Sequence, residues 1–461
     1  MLAAAVAALT VSGLLAPTVR AAPAAPEPSR PPHAQRLIVG YKSASPKARS
    51  DQAVKDALRR KTDGTALSFE RRLATGAVLL RLREQTTAAS LSAVTDELKG
   101  DPDVSYAEPD SVLQAAADPD DPAYRLQWDL WDGTAGMNVP PAWNRATGRG
   151  VTVAVIDTGY VTHTDLDSQI VDGYDFIADA SNARDGDGRD SNYHDPGTWS
   201  APGQCAPDSP GGPSVWHGTH VAGTVAAQTD NGIGVASTAH DAHVQPVRVL
   251  GACGGVKSDT AEAIIWAAGG SVPGVPDNET PAEVINLSLG EKAPCSATYQ
   301  RAIDSAVGHG TTVVVAAGNA NENAAAYAPA NCDHVITVAA GDRNGHRARY
   351  SNWGRTVDIT APGGSGNGTV QDDILSTYNS GRTDPDRESY AWLKGTSMAA
   401  PHVSALAALL LQLRPSLTPA QVQRVITGTA RPIAGCGQNC GAGLADAGAA
   451  VRALSARTRH G

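Results

Sequence analysis

Four continuous apolar runs constrain the fold of this chain more than any other feature of its sequence. They occupy residues 151–156, 284–289, 311–317 and 335–340. Apolar runs without polar alternation are typical of strands that are covered on both faces. Helical patterns lie between and after them, at residues 219–228, 259–268, 297–307 and 397–413. This alternation predicts an α/β fold, a doubly wound parallel sheet with flanking helices, whose functional groups gather at the carboxyl ends of the strands.

A smaller unit precedes this sheet. Residues 36–114 contain a strand, a helix, strand material around Thr75-Gly76, a second helix and a closing strand. The order predicts a small α+β domain with an antiparallel sheet. The segment AAADPDD at residues 115–121 predicts an exposed linker that is open to proteolysis. Residues 122–455 then form the main domain, and residues 456–461 are a tail too short for a further domain.

The start of the chain has the features of a secretory signal peptide. Residues 1–21 are apolar and end in Val19-Arg20-Ala21, a small-x-Ala cleavage pattern, although no Lys or Arg precedes the apolar core. A Pro-rich spacer at residues 22–35 follows directly, which disfavours a buried helix. We therefore expect a secreted, extracellular protein. No other stretch is long and apolar enough to cross a bilayer, so we expect no membrane contact in the mature form.

The distribution of charge argues against nucleic acid as a partner. The whole chain carries a formal net charge of −10. Residues 1–117 hold 15 Lys and Arg against 12 Asp and Glu, and the remaining residues hold 22 against 35. The two parts therefore carry net charges of +3 and −13. An acidic main domain would repel a phosphate backbone.

Six cysteines, an even number, predict disulfides in an exported chain. They do not have the C-x-x-C spacing of a zinc site. Their pairing stays open at this point, because six cysteines allow 15 arrangements.

Three residues next to the predicted strands and helices are candidates for catalysis. Asp157 directly follows the first apolar run, where a turn formed with Thr158-Gly159 is the simpler explanation. Ser397 opens an apolar helix, where a helix N-cap is the simpler explanation. A helix N-terminus would also lie close to a developing oxyanion.

The third candidate, His217, lies in the stretch WHGTHVAG, three residues before His220. Two histidines at this spacing could bind a metal, but the glutamate of an H-E-x-x-H site is missing. A general base that is oriented by a carboxylate is the alternative. In that case His220 is a packed helix residue.

Taken together, the three motifs resemble those of one family. Asp157, His217 and Ser397 follow the chain order of the subtilisin triad, within IDTG, HGTHVAG and GTSMAAPH. From about residue 120 to residue 455 the chain resembles subtilisin-like serine proteases, the subtilases. The resemblance implies that His217 takes a proton from Ser397 while Asp157 orients the imidazole.

Further roles are implied by the same resemblance. Asn319, in VVVAAGNAN, matches the oxyanion asparagine of subtilases, and Ser288, Leu289 and Gly290 match the strand along which substrates bind. Glu291 follows where many relatives have a second glycine. It is either a carboxylate near the primary pocket or an exposed loop residue.

The resemblance also covers the N-terminal unit. Residues 36–114, and Tyr106-Ala107-Glu108-Pro109 above all, resemble the inhibitory prosegment of subtilases, which is a ferredoxin-like domain. It implies a zymogen that cuts itself between Gln114 and Asp118 and is inhibited by its own prosegment. We expect a monomeric endopeptidase that acts on polypeptide substrates. The alternatives are a binding protein that lacks catalysis and a metal-dependent hydrolase built on His217, His220 and an Asp-rich loop.

That loop, NARDGDGRDSNYHD, is the first candidate for a calcium site. Its carboxylates could supply oxygen ligands to structural Ca²⁺, as Asp185, Asp187, Asp190 and Asp195, or could form a solvated acidic loop. Asp165 and the loop at Asp230-Asn231 are a second candidate. The resemblance to secreted subtilases implies disulfides between Cys205 and Cys253, Cys295 and Cys332, and Cys436 and Cys440.

Overall fold

The computed structural model describes residues 36–60, 67–82, 88–110 and 118–457. The predicted signal peptide, the Pro-rich spacer and the predicted cleavage segment up to residue 117 lie outside the described residues, as does the end of the tail. The chain divides into two compact units, at residues 1–115 and 116–461.

The first unit has the α+β pattern that the sequence predicts. Its elements are β1 (Arg36–Tyr41), α1 (Asp51–Arg60), β2 (Leu67–Arg72), β3 (Val78–Leu82), α2 (Ala88–Lys99) and β4 (Val104–Pro109). The strands form an antiparallel sheet in the order β2-β3-β1-β4, the order of a ferredoxin-like domain. Tyr106 lies directly over Gly40 of β1, where a Cβ atom would come within 2.1 Å of the ring. A side chain at position 40 would therefore displace the Tyr106 ring.

The second unit is built on the predicted parallel sheet. Seven strands form it, in the order β13-β12-β10-β8-β5-β7-β6, and each neighbouring pair is parallel. Its elements are α3 (Trp128–Trp131), α4 (Pro140–Trp143), β5 (Thr152–Asp157), β6 (Tyr174–Asp175), α5 (Ala180–Ala183), α6 (His217–Ala226), β7 (His243–Arg248), α7 (Lys257–Ala267), β8 (Val284–Leu287), β9 (Glu291–Lys292), α8 (Ala297–Gly308), β10 (Thr312–Ala316), β11 (Tyr327–Ala328), β12 (Val335–Gly341), β13 (Ile359–Pro362), β14 (Ile374–Asn379), β15 (Glu388–Leu393), α9 (Thr396–Leu413), α10 (Pro419–Gly428) and α11 (Ala447–Arg457).

Helices cover both faces of this sheet. Val153 and Val155 of β5 pack in one core cluster with α6 and α9, whereas Ala154 and Ile156 pack in a second cluster with α7 and α8. Alternate residues of a strand point to opposite faces, so both clusters need apolar side chains from the same strand. This explains why the four predicted runs are continuously apolar, and it confirms the predicted α/β architecture.

Helix α9 runs through the larger core cluster. Within the described part of the chain it is the one helix with the length and hydropathy of a membrane span, and 83% of it is buried inside the structure. That degree of burial is typical of the core helix of a globular domain. Because α9 begins at Thr396, the core fixes the position of Ser397.

The predicted exposed linker ends earlier than the sequence indicates. Asp121 is 4% exposed, and its carboxylate accepts a hydrogen bond from the backbone N–H of Asp230 at 3.0 Å. Asp120 accepts one from the N–H of Gly232 at 2.9 Å. Residues 120 and 121 therefore belong to the packed second unit.

Candidate active site

Asp157 and His217 form the central contact of the site. Asp157 is the last residue of β5 and is fully buried, and His217 is the first residue of α6. The Nδ1 atom of His217 lies 2.8 and 2.9 Å from the two carboxylate oxygens of Asp157. The N–H of Thr158 donates to the same carboxylate at 2.8 Å. The carboxylate thus holds the proton on Nδ1, which leaves Nε2 free to act as a base.

The electrostatic surroundings of His217 favour its charged form. Burial alone would lower the pKa of the imidazole, but the charge of Asp157, the hydrogen bond to it and the charge of Asp195 outweigh burial. The pKa of His217 is therefore raised above its ordinary value of 6.5. A charged imidazole is the form that results when His217 takes a proton from a nucleophile.

Asp195 is a second buried carboxylate beside this pair. It is 1% exposed, and it accepts a hydrogen bond from the N–H of Gly197 at 2.8 Å. Burial raises the pKa of Asp195 to about 6. The charge of Asp195 is one of the influences that raise the pKa of His217. Sequence reasoning placed Asp195 only in the acidic loop, because nothing in the sequence shows that the loop returns to β5.

Ser397 is held against the end of β8. Its hydroxyl donates to the backbone carbonyl of Ser288 at 3.1 Å, and the hydroxyl of Ser288 donates to the carbonyl of Ser397 at 2.8 Å. Within the described residues, Ser397 makes no hydrogen bond to His217. The structure thus joins Asp157 to His217 and Ser397 to Ser288. Catalytic hydrogen bonds are often long without substrate and tighten only when substrate binds.

Asn319 lies beside the start of α9 with a defined orientation. Its side-chain oxygen accepts from the N–H of Thr396 at 2.9 Å and from the Thr396 hydroxyl at 3.0 Å. That hydroxyl in turn accepts from the N–H of Gly318 at 3.1 Å. These two donors fix the orientation of the side-chain amide. Its nitrogen has no hydrogen-bond partner among the described residues. Asn319 can therefore donate to a new acceptor.

A groove of about 510 Å³ runs from His217 past the end of β8. Ser288, Leu289 and Gly290 all line it, as the resemblance implies. The other lining residues come from the ends of neighbouring strands and loops: Thr158, Thr198, Val215, Leu250, Gly251, Gly254, Gly255, Lys257, Thr260, Glu291 and Tyr299. The groove can hold an extended chain beside the reactive groups.

His220 is a packed residue. It is fully buried, and its Nε2 atom lies 3.1 and 3.0 Å from the carbonyl oxygens of Ile374 and Ala391. Burial lowers its pKa to about 3, so the imidazole is neutral. Since Nε2 donates to backbone carbonyls, His220 does not pair with His217 as a metal ligand.

The acidic loop forms a different cluster from the one that the sequence suggests. The carboxylates of Asp185 and Asp190 lie together with that of Asp175, within 4.8 Å of one another, and this cluster contains neither Asp187 nor Asp195. The guanidinium of Arg248 contacts Asp175 and lies 2.6 Å from Asp185. Arg248 supplies one positive charge beside two of these three carboxylates, so part of their negative charge is already compensated. One oxygen of Asp185 is nevertheless buried without a hydrogen-bond partner among the described residues.

In a second acidic cluster, the described residues supply no ion pair with a cationic side chain. Asp120, Asp121 and Asp230 have carboxylate oxygens within 4.8 Å of one another. One oxygen of Asp121 is buried and has no hydrogen-bond partner among the described residues. Burial raises the pKa of this carboxylate. An unpartnered buried oxygen among acidic groups is what a hard cation such as Ca²⁺ would satisfy.

Three disulfides join loops of the second unit. They link Cys205 to Cys253, Cys295 to Cys332 and Cys436 to Cys440. These are the pairs that the resemblance implies. The first disulfide ties the loop before α6 to the loop before α7, two segments that contribute to the groove.

Known proteins share both the sequence and the fold. Residues 148–443 match the sequence profile of the subtilase family. An extracellular protease from Xanthomonas campestris pv. campestris is 49% identical over 429 residues, which are 91% of this chain and 73% of that protein. An extracellular basic protease from Dichelobacter nodosus is 40% identical over 440 residues, 92% of this chain and 71% of that protein. A solved protease structure from Pseudoalteromonas arctica has 51% identity and a TM-score of 0.72, over 73% of this chain and 100% of that one. This chain therefore belongs to the subtilase family and is a serine-type endopeptidase.

Proposed function

We propose that this endopeptidase is secreted and cleaves polypeptides through Ser397, His217 and Asp157. The observation that carries the proposal is the contact between Asp157 and His217 at the carboxyl edge of the sheet, on the groove that Ser288 borders. Ser288 in turn holds Ser397. The names of the extracellular relatives and the apolar N-terminus support secretion.

Each group has a role in acyl transfer. A peptide strand that pairs with residues 288–290 offers an N–H to the Ser288 carbonyl, which frees the Ser397 hydroxyl to turn towards His217. His217 Nε2 then takes the hydroxyl proton as the oxygen attacks the scissile carbonyl. The backbone N–H of Ser397 and the amide of Asn319 donate to the oxyanion. His217 gives the proton to the leaving amine, and water releases the acyl group in a second, similar step.

We further propose that residues 36–114 are a prosegment that inhibits the enzyme until Ser397 cuts the chain between Gln114 and Asp118. The ferredoxin-like order of the first unit and the YAEP sequence at its end support this assignment. The signal peptide would be removed earlier, during export.

Subtilases commonly bind calcium, and we propose that Asp120, Asp121 and Asp230 hold a structural Ca²⁺. The buried, unpartnered oxygen of Asp121 supports this cluster, and no cationic side chain pairs with it among the described residues, whereas Arg248 lies beside the other cluster. A bound Ca²⁺ would neutralise the three carboxylates and join residues 120–121 to the loop before β7.

The test is secretion of the wild type and of Ser397→Ala, followed by N-terminal sequencing and a casein assay. The wild type should begin near residue 118, cleave casein and be labelled by a sulfonyl fluoride at Ser397. Ser397→Ala should keep residues 36–114 covalently attached and be inactive. Ser416→Ala, which changes an exposed serine, is the matched control and should behave as the wild type. Processing of Ser397→Ala in the absence of any other protease would contradict self-cleavage.

A further inference from the structure

The backbone carbonyl of Ser397 lacks the hydrogen bond that a regular helix would give it. Ser397 is the second residue of α9, and the residue four positions later, whose N–H would donate to this carbonyl, is Pro401. Proline has no N–H, and its ring crowds the carbonyl four residues before it. The helix itself therefore cannot hold the backbone of Ser397 through this group.

A hydroxyl at the end of the neighbouring strand supplies the missing donor. The hydroxyl of Ser288, which directly follows β8, donates to the Ser397 carbonyl at 2.8 Å. Ser288 is buried, so water does not compete freely for this bond. Because a hydroxyl has only one proton, the bond to Ser397 forms only while that proton is not given to another acceptor.

Asn286 sets the direction of the Ser288 hydroxyl. It lies inside β8 and is fully buried, and its amide nitrogen donates to the Ser288 hydroxyl oxygen at 2.9 Å. Its amide oxygen accepts from the hydroxyl of Ser404, a fully buried residue of α9, at 2.9 Å. Three hydrogen bonds therefore run in one direction, from Ser404 through Asn286 and Ser288 to the carbonyl of Ser397.

The surroundings of this asparagine are a hydrophobic core. Alternate residues of a strand share a face, so Val284, Asn286 and Ser288 point the same way, and Val284 packs in the core cluster that contains α9. A buried amide costs free energy unless it is hydrogen-bonded, whereas an apolar side chain would fill such a position without that cost. Packing alone therefore does not account for an amide at position 286.

We propose that Asn286 is a positioning residue of this protease. Through the Ser288 hydroxyl it supplies the donor that Pro401 cannot, and so it fixes the backbone of Ser397 against β8. Asn286 does not line the groove, so it acts on the nucleophile and not on the substrate. A misplacement of about 1 Å can lower a rate about 100-fold, so the effect should fall on kcat. The inference rests on the proposed function, because it needs Ser397 to be the nucleophile.

Asn286→Asp tests the direction of the network with almost no change in size. While the new carboxyl group is protonated, it can donate to Ser288 as the amide does. Once ionised it can only accept, so the Ser288 hydroxyl turns towards it and leaves the Ser397 carbonyl without a donor. Buried carboxyl groups titrate at up to about pH 9. The kcat of the variant should therefore fall about 10- to 100-fold as the pH rises to about 10, with KM nearly unchanged, whereas the wild type should keep its kcat.

Pro401→Ala provides a rescue. The N–H that this substitution introduces can donate to the Ser397 carbonyl, which then no longer depends on Ser288. In the Pro401→Ala background, Asn286→Asp should lower kcat less than about threefold at the same pH, because both changes act on one carbonyl. Ser288→Ala removes the hydroxyl at every pH and should likewise lower kcat more in the wild type than in Pro401→Ala. Thr312→Val is the control: it removes a buried hydroxyl of β10 that has no hydrogen-bond partner among the described residues, and it should leave kcat unchanged at every pH.

The outcomes separate the inference from the proposed function. A flat profile of kcat up to about pH 10 in Asn286→Asp, or an equal loss with and without Pro401→Ala, overturns the inference and leaves the proposed function intact. Circular dichroism at each pH shows whether the variants are folded. Where Asn286→Asp is not, Ser288→Ala decides: rescue by Pro401→Ala supports the inference and an equal loss in both backgrounds overturns it. A folded wild-type enzyme that neither reacts with a sulfonyl fluoride at Ser397 nor cleaves any peptide overturns the proposed function, and the inference with it.

Discussion

At the scale of single residues, the proposed chemistry depends on how two carboxylates act on one imidazole. Asp157 touches His217 and fixes its proton, whereas Asp195 acts on it by charge alone. Both raise the pKa of His217 against the opposing effect of burial. The proposed mechanism needs the neutral imidazole, so the raised pKa should limit activity on the acid side of the pH range.

The first prediction concerns pH. The kcat/KM should rise with pH through a midpoint above 6.5, because His217 must lose its proton before it can act as a base. Asp195→Asn removes one of the charges that raise this pKa, so the midpoint should move to lower pH while Asp157 and His217 stay in contact. Asp208→Asn removes an exposed carboxylate as the control. An unchanged midpoint in Asp195→Asn would contradict the electrostatic role of that residue.

The second prediction concerns Asp157 itself. Asp157→Asn should lower kcat about 10⁴-fold, as in other triads, because an amide can hold the imidazole in the wrong tautomer. Its thermal unfolding should show a folded protein, and a sulfonyl fluoride should label Ser397 far more slowly. A loss of less than tenfold in kcat would argue against the proposed triad.

At the scale of elements, α6 must lie close to the β14–β15 hairpin. A Cβ atom on Gly223 of α6 would lie 2.1 Å from the Thr377 hydroxyl oxygen and 2.5 Å from that of Ser376, both on β14. The hydroxyls of Thr377 and Ser376 also donate to backbone carbonyls of α6. The second glycine of HGTHVAG therefore sets the position of the helix that carries His217.

The third prediction follows from this packing. Gly223→Ala should destabilise the enzyme by about 1–3 kcal/mol, as overpacked cores do, and should lower kcat because α6 shifts. Gly308→Ala is the control, since a Cβ on Gly308 of α8 meets no atom within 4 Å. The stability of that variant should increase by up to about 1 kcal/mol, because alanine has a higher helix propensity than glycine. Denaturant unfolding measures the free energy of unfolding of both variants. An equal change in Gly223→Ala and Gly308→Ala would contradict the packing argument.

The fourth prediction compares two disulfides. Cys295 and Cys332 are 37 residues apart, whereas Cys436 and Cys440 are 4 apart. A disulfide stabilises mainly by restricting the unfolded chain, so replacing both cysteines of a pair by serine should cost about 4 kcal/mol for the first pair and about 2 kcal/mol for the second. Calorimetry on the two double variants checks the order. The reverse order would show that native-state contacts outweigh loop entropy.

At the scale of the whole molecule, calcium should act on stability and not on the chemical step. Millimolar Ca²⁺ should raise Tm, with a stabilisation of about 2.7 kcal/mol when calcium is at a hundred times its Kd. A chelator should therefore inactivate the enzyme slowly, by unfolding. Asp121→Asn should lose the dependence of Tm on calcium, whereas Asp208→Asn should keep it. An equal response in both variants would exclude the Asp121 cluster as the site.

The sequence predicts the sheet well where the strands are uniformly apolar, and less well elsewhere. Strand β7 reads HVQPVR, and its polar residues interrupt the apolar pattern by which a strand inside the sheet is recognised, although β7 lies between β5 and β6. The structure buries them with partners, since Gln245 bonds to Asn278 and Thr280, and Arg248 pairs with Asp175 and Asp185. Such partners are distant in sequence, so local patterns do not reveal them.

In the candidate site, too, local motifs predict some residues, whereas others depend on contacts between distant parts of the chain. Short motifs predict Asp157 and His217, and the structure brings them into contact. Their catalytic roles remain our proposal. The influence of Asp195, the anchoring of Ser397 by Ser288 and the hydrogen bond from Ser404 to Asn286 arise only from tertiary folding. Acidic residues alone do not predict a metal site. Arg248, which pairs with Asp185 of the acidic loop, belongs to β7 and is distant from that loop in sequence.

The central position of α9 has a consequence for the cell that makes this protein. Asp157 ends an early strand of the main domain, whereas Ser397 opens a helix near its end, and that helix completes the core on which the sheet depends. A ribosome must therefore translate most of the main domain before the proposed nucleophile, Ser397, can be positioned. With Ser397 as the nucleophile, the growing polypeptide would be harmless to the producing cell for most of the synthesis of this domain, independently of the proposed prosegment.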